Sequence, residues 1–492
     1  MNYLFCTLFL LTLSLNSAAQ NNEGSIWVFG ENNLINFNNT DSPVASIIAT
    51  DILYENASSI ADKNGNLLFY LGGTPGFEMI GNIRNRLAQI IENGDSIFTN
   101  YSATQGSIIL PAPGITGTYY IFHLQLQIDS SNGCQFMYYS IIDMNQNGGL
   151  GKVMAKNVPI TTANLVEKLT AVRHANGRDW WLLAHTSTDN FVEYLLTPAG
   201  LSAPLYQQIG TVTDSILYGG GTGQMKFSPK GDRLAAVSPT GTVDLFDFDR
   251  CTGLLSRYVN LGPVTGPWGG YYAVSFSPSG NILYTSSSDV NLGLYQYNLL
   301  STNIIASRLQ LWNTTNYMLL SQQQLAPDGK IYLVTTCTAP PSSMDSTTMT
   351  LSVINQPDIY GMGCDFRPFS FALAGAATCG LPNMPNYSLG ILVGSACDTI
   401  INSIKPTNEL LKIQVVPNPF GESISVSFQK ENMKQVTCRV RNAIGQLVFE
   451  HQQCITGNSY AETFNLNSLA VGIYTLEIIT DGERTVKELV KQ

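Results

Sequence analysis

Few side chains in this sequence stand in an arrangement that could do chemistry, and each arrangement can be weighed against what its reaction requires. The run DLFDFDRCTG brings Asp244, Asp247 and Asp249 close together. A calcium loop of the EF-hand kind needs a glycine at its sixth position and a glutamate at its twelfth, and neither is present. On a strand, alternation sends Asp247 and Asp249 to one face and Asp244 to the other. The stretch YGGGTGQ at 218–224 is glycine-rich but leads into a strand pattern. It lacks both the helix N-terminus and the lysine that cradle phosphate. The four histidines, His123, His174, His185 and His451, form no HExxH pair, and no GxSxG elbow offers a serine nucleophile. No metal, cofactor or catalytic group is therefore expected.

Aromatic side chains have a better positional case. MKFSPKGDRLAAVS starts at Met225, VSFSPSGNILYTSS at Val274 and QQLAPDGKIYLVTT at Gln323, so Gly231, Gly280 and Gly329 recur at intervals of 49. In that register Gly219, Trp268 and Tyr317 are equivalent, each just ahead of an apolar strand. If such strands surround an axis, TGPWGGYY sets Trp268, Tyr271 and Tyr272, with Tyr317, around one mouth of a channel. There they would either stack on sugar rings or peptide side chains, or pack between neighbouring repeats.

The repeat itself dictates the elements. Each copy has an apolar strand, a Ser/Ala-Pro corner, a glycine suited to positive φ and a second apolar strand. Looser copies surround Gly65, Gly117 and Gly177, and a seventh fits within 345–400. Three or four short strands per ~50 residues, repeated six or seven times, predict an all-β, about seven-bladed β-propeller over residues 20–400. The segment SIWVFGENNLINFN is expected to close the ring by pairing into the last blade beside LPNMPNYSLGILVG.

The chain has 492 residues, a net charge of −10 and only 12% charged residues, against a usual value near ~25%. From Lys412 onward eight basic residues balance eight acidic ones, so the excess acid precedes that point. No basic patch is available for nucleic acid. MNYLFCTLFLLTLSLNSAAQ reads as a signal peptide over 1–19, its apolar run ending in Ser17-Ala18-Ala19 and being too short to span a membrane. No later run is long enough to span. Export leaves eight cysteines in an oxidising compartment. Cys364 with Cys379, and Cys438 with Cys454, are the nearest pairs and the expected disulfides.

After Cys397 the chain loosens into a linker, 401–411, followed by a neutral unit over 412–492. Its strand patterns ESISVSF, VTCRVRN, GQLVFEHQ, YAETFNL, GIYTLEIIT and ERTVKELVK predict a small antiparallel β-sandwich.

Two resemblances follow from these motifs. WVFG, ADKNGNLLFY, the FSPxG repeats, FDFDRCTG and GLPNMPNYSLG together resemble secreted propellers of Bacteroidetes-type bacteria, an architecture that brings no activity with it. VVPNPF, RNAIGQLV, LNSLAVGIYTLEI and the terminal VKELVKQ resemble the type A C-terminal sorting domain of type IX secretion cargo. Pro417, Asn418, Pro419, Gly445, Gly472, Tyr474 and Lys487 carry that resemblance, with Asn442 where the family commonly has Asp. It implies passage to the periplasm and then recognition by the outer-membrane type IX machinery, ending secreted or at the cell surface.

Two function classes remain. The first is a non-catalytic binding or scaffold module for a glycan or protein ligand. The second is a propeller enzyme acting on extracellular polysaccharide or peptide. The innermost strands QMKFS, AVSFS and QQLA contain no Asp or Glu, which favours binding. Two carboxylates within ~10 Å of each other at the channel mouth would favour the enzyme.

Overall fold

The computed structural model describes residues 22–49, 52–73, 79–128, 133–212, 221–262, 270–287, 293–313, 321–335, 345–398, 413–430, 433–442, 447–455, 457–480 and 483–492. The signal-peptide segment, the linker 401–411, Trp268, Tyr317 and Gly445 lie outside them. The chain divides into two compact units, Met1–Asp398 and Thr399–Gln492. Among the described residues the regular elements are β-strands and a few single-turn 3-10 helices.

In the first unit the repeated corner forms as its residue types require. Gly231, Gly280 and Gly329 donate their N–H to the carbonyls of Ser228, Ser277 and Ala326 at 2.8–3.0 Å. All three have φ between 71° and 77°, a region a side chain would strain. Each corner joins the first two strands of an antiparallel sheet whose order follows the chain. Met225–Phe227 opens one such sheet, Tyr271–Phe276 the next and Gln323–Leu325 the one after. Ser58–Ala61 opens an earlier one.

The loosest stretch of the repeat solves its packing differently. Lys152–Arg173 is a single strand of 22 residues. Its first half closes one antiparallel set, running from Ser107–Pro111 through Thr118–Ile128 and Gly133–Asp143. Its last residues, Leu169–Arg173, open another by pairing with Trp180–Thr186. One sheet of eight strands therefore holds two repeats. The opening strands of successive sheets contact one another in chain order, which gives a β-propeller-like arrangement around one axis.

The beginning of the unit departs from expectation. Ile26–Phe29 does not pair into the last sheet. It opens a three-stranded sheet of its own with Asn33–Asn36 and Val44–Ile47. Its four residues are all buried, as an innermost position demands, and Ser59 Oγ donates to the Ile26 carbonyl at 2.9 Å. Nor does 345–400 form a repeat. Thr350–Ile354 and Phe366–Ala372 instead complete the sheet begun by Gln323–Leu325. First and last sheets meet through aromatic packing: Tyr332 lies 5.8 Å from Trp27 and 5.4 Å from Phe37, ring centre to ring centre.

LPNMPNYSLG, which was expected to pair as a strand, runs along the axis. Asn383 Nδ2 donates to the carbonyls of Ser107 (3.1 Å) and Leu169 (2.8 Å). The Tyr387 hydroxyl donates to the Ile109 carbonyl, and the Leu392 N–H to that of Ala175. Opening strands of a propeller have no ladder partner on their inner edge, so their backbone groups need another source of hydrogen bonds. Side-chain amides supply it. Gln105 exchanges two bonds with the backbone of Met225, and Gln224 two with that of Gln323.

The cysteines also differ from expectation. Cys251 and Cys397 form a disulfide with Cα atoms 5.5 Å apart. Cys379 is disulfide-bonded, but Cys364 is a free buried thiol, packed with Tyr284 and Leu309 away from it. Cys438 and Cys454 are also free. In register Cys454 faces Gln435 and Cys438 faces His451, so the two sulfurs sit three positions apart on opposite faces.

The second unit has two antiparallel sheets over one core. Gln414–Val416, Ser423–Gln429 and Ser459–Asn465 form the first. Leu447–Cys454, Gln435–Asn442, Gly472–Thr480 and Glu483–Lys491 form the second. Ile424, Val426 and Phe428 share one side, as alternation requires, and meet Val436, Val440, Leu476 and Leu489.

If Tyr332 joins first and last sheets, Tyr332→Ala should cost about 3–5 kcal/mol of unfolding free energy, as large aromatic truncations do. Tyr332→Phe keeps the ring and loses only the hydroxyl bond to Asp328, so it should cost about 1 kcal/mol. Denaturant unfolding of the two variants measures the difference.

Candidate functional site

The residues just ahead of the opening strands alternate in direction, and this alternation builds the mouth. Gln105 bonds the Met225 backbone across the axis, while its neighbour Thr104 turns to Glu167; in the long strand Glu167 turns to Thr104 and Lys168 to the carbonyls of Gly221 and Thr222. Thr104 donates both its N–H (3.1 Å) and its hydroxyl (3.2 Å) to Glu167 Oε2. The Thr104 hydroxyl oxygen lies 3.3 Å from the Tyr272 hydroxyl, which donates to Glu55 Oε1 at 3.0 Å. Ser102 donates to the other Glu55 oxygen at 3.1 Å. The Tyr272 and Thr104 hydroxyls thus stand between Glu55 and Glu167, whose nearest oxygens lie within ~10 Å of each other.

Electrostatics separates the two. Burial, then the charge of Glu167, pushes the Glu55 carboxyl well above the usual range. Burial also raises Glu167, but the Thr104 N–H, the Lys168 ammonium and the Thr104 hydroxyl pull it back. Burial lowers the Lys168 amine to about 7 against the opposing charges of Glu167 and Asp244. Its Nζ donates to the carbonyls of Gly221 and Thr222. Both carboxyls are therefore held above the usual range, and each can keep a proton at a pH where an exposed glutamate would lose it.

Around Glu55 stand half-buried tyrosines. The N–H groups of Glu55 and Asn56 both donate to the Tyr101 carbonyl, and the Tyr101 ring is 6.2 Å from that of Tyr54. Tyr54, Tyr101 and Tyr272 are each half-buried, with rings that could lie against a planar or apolar ligand surface.

Of the aromatics expected at the mouth, Tyr272 stands there. Tyr271 does not: it is fully buried between sheets, 3.2 Å from the Tyr297 hydroxyl and packed on Tyr295. Adjacent strand residues point to opposite faces, so the mouth could take only one of the two. Glu55, Thr104 and Glu167 were not expected, since they lie outside the three tightest repeats, whose innermost strands carry no carboxylate. Glu55 and Glu167 do share a signal. Each stands at the same offset ahead of its own turn glycine, Gly65 and Gly177.

In the second unit VPNPF folds back on the chain's last strand. The Val490 N–H donates to Asn418 Oδ1 at 2.9 Å, and the Phe420 N–H to the Val490 carbonyl. Pro417 and Pro419 bracket Asn418, both through cis peptide bonds. Lys491 Nζ reaches the Leu466 and Asn467 carbonyls, tying the LNSLAVG turn to the same place. Gly472 opens the next strand, the Tyr474 hydroxyl closes that turn onto the Ala470 carbonyl, and Lys487 is exposed.

Protonation of Glu55 gives a pH prediction. A carboxyl raised on folding contributes stability that is full below its unfolded pKa and is lost as the pH climbs through its folded value. Glu55→Gln mimics the protonated form. Its melting temperature should match the wild type near ~pH 5 and exceed it near ~pH 9. Equal melting curves at both pH values would show that Glu55 is ionised in the fold.

One family match falls within the second unit. Residues 414–492 match the family described as the secretion system C-terminal sorting domain. No curated protein matches. Among solved structures, a Bacteroides fragilis protein provisionally called a 6-phosphogluconolactonase has 11% identity and a TM-score of 0.44, covering 74% of this chain and 98% of its own. A Bacteroides uniformis counterpart has 11% identity and a TM-score of 0.41, covering 69% and 94%. The β-propeller domain of Cps50 (Swd1) from Myceliophteria thermophila has 9% identity and a TM-score of 0.36, covering 64% and 94%. The chain carries the C-terminal sorting domain of type IX secretion cargo, which directs it to the cell surface or the extracellular space.

Proposed function

We propose that this chain is a Bacteroidetes type IX cargo whose passenger, residues 20–400, is a seven-bladed propeller that binds an extracellular glycan or protein at its mouth. A signal peptide over 1–19 takes it to the periplasm. A linker, 401–411, joins the propeller to a β-sandwich over 412–492 that the outer-membrane machinery reads. The ligand-binding reading rests on one observation: half-buried Tyr54, Tyr101 and Tyr272 gather around Glu55 at one end of the axis. Aromatic faces beside a carboxyl group suit a sugar or a peptide side chain. Binding without turnover is supported by the bonds the carboxyls already accept, Glu55 from Ser102 and Tyr272 on its two oxygens and Glu167 from Thr104 on Oε2.

The same pair favours a second reading. Glu55 as acid and Glu167 as base would suit hydrolysis of a glycosidic bond, whose enzymes use two carboxyl groups held apart by a water or by the nucleophile's reach. Arrays of glycans and matrix proteins, probed with the purified chain and with its Tyr54→Ala/Tyr101→Ala form, separate the two. Binding predicts a captured ligand that stays intact, with affinity falling about tenfold or more in the variant. Cleavage of a captured polysaccharide, abolished in Glu55→Gln and Glu167→Gln, would establish the second reading instead.

Export has its own test. Glu483–Lys491 is an edge strand, bonded on one side to Gly472–Thr480 and meeting the PNPF loop at Lys491. Deleting 484–492 should leave the chain in the periplasmic fraction, with the melting transition of the first unit unchanged. Undiminished surface delivery would overturn the assignment of this tail as the address.

A further inference from the structure

The axis of the first unit has a second end, and a lysine is buried there. Lys226 lies in Met225–Phe227, and the 49-residue register sets it level with Ser275 and Gln324. Its Nζ donates to Gln324 Oε1 at 2.7 Å and reaches Asn383 Oδ1 at 3.5 Å. Both partners are neutral amides. An ammonium carries three donors, and among the described residues the third has no partner and no carboxylate pairs with the charge. Burial alone pushes the amine down to about 7.

Lys226 lines a cavity of about 270 Å³. That exceeds the ~30 Å³ of one water several-fold and approaches the lower end of small-molecule sites. Ser25, Ser275 and Asn386 add polar groups to its wall, while Phe276 and Met384 make it partly apolar. Pro229 and Pro327 bring two of the repeated corners to its edge. A second, independent observation concerns the same wall. The hydroxyl of Ser25, a lining residue, is buried and has no hydrogen-bond partner among the described residues, although native proteins rarely leave such a group unsatisfied.

We propose that this cavity binds a small monocarboxylate, its carboxylate held between Lys226 Nζ and Ser25 Oγ and its body set against Phe276 and Met384. A buried cation without a counter-charge is costly, and a carboxylate removes that cost with charge-assisted hydrogen bonds. One positive charge and a half-apolar wall fit a single negative charge with a short organic body. This site lies beyond the amide-braced stretch of the axis from the tyrosine mouth, so it stands whether or not the mouth binds a glycan.

The test uses the purified full chain titrated with acetate, lactate and glucuronate by calorimetry. At least one should bind. Lys226→Gln should weaken binding about tenfold or more, the loss expected when a charge-assisted bond goes, and Ser25→Ala should weaken it several-fold. Lys230→Gln, at an exposed corner residue, should change nothing. A wild type that binds none of the three, or a Lys226→Gln form that binds as tightly, overturns the proposal. Should Lys226→Gln not fold, acetylation of the wild type mapped by mass spectrometry decides it. The bound carboxylate should slow modification of Lys226 and leave Lys230 unaffected, and equal rates with and without it overturn the proposal.

Discussion

The inner edges of the opening strands are the constraint on which the first unit depends. Among the described residues such strands have a ladder neighbour on the outer side and none on the axis side, so their inward N–H and C=O groups would be left buried and unpaired. Each unmade bond of that kind costs roughly 1–3 kcal/mol. Side-chain amides meet the requirement because they carry a donor and an acceptor in one plane, as a peptide does, without the cost of burying charge. Gln105 pairs with Met225 in this way, Gln224 with Gln323, and Asn383 spans from Ser107 to Leu169. Gln322 does the same from the last sheet, reaching the carbonyls of Glu55 and Thr104. The repeats are therefore joined across the axis by hydrogen bonds as well as around it by apolar packing.

The mouth site follows from that bracing by one step of alternation. If Gln105 must face the axis, Thr104 must face away from it, and the same holds for Asn56 and Glu55. The carboxyl groups are placed by residues whose own task is structural. This explains why the mouth can hold two glutamates close together. Their backbones are fixed by interactions one residue away, so the charge of Glu167 raises the Glu55 carboxyl and does not move the chain. Function here is a matter of which side chains stand at those outward positions, and the scaffold leaves them free to vary.

What was legible in the sequence follows the same physics. The tight repeats were readable because Ser-Pro-x-Gly is a local solution: a proline corner, an i to i+3 bond and a glycine at positive φ need no partner elsewhere. The C-terminal unit was readable because its strands alternate cleanly and its turns are short. Three features were not legible, and all are non-local. Ile26–Phe29 is apolar at every position, so its pattern could not tell a ring-closing strand from the opening strand of a separate sheet. The axis segment has no periodicity at all, since its partners are scattered carbonyls, that of Ala57 lying 326 residues (383 − 57) from Asn383. Cysteine pairing failed for the same reason, because nearness along the chain says little about Cys251 and Cys397, 146 residues apart.

That disulfide belongs to the axis as much as the amides do. Segment 376–398 leaves the axis under a cluster of anchors. Arg250 donates to the carbonyls of Arg173, His174 and Gly390, Asn386 to that of Pro229, and Cys397 is bonded to Cys251 beside Arg250. Closing a loop that long from the unfolded chain carries a high entropic cost, about 4–5 kcal/mol in the chain-entropy account, which the covalent link removes from the folding balance. Gln322 and Asn383, which complete the inner edges at Glu55, Thr104, Ser107 and Leu169, come from late in the unit, so those edges are completed only after the earlier sheets are made. A covalent tether at that point holds the axis segment where these edges need it.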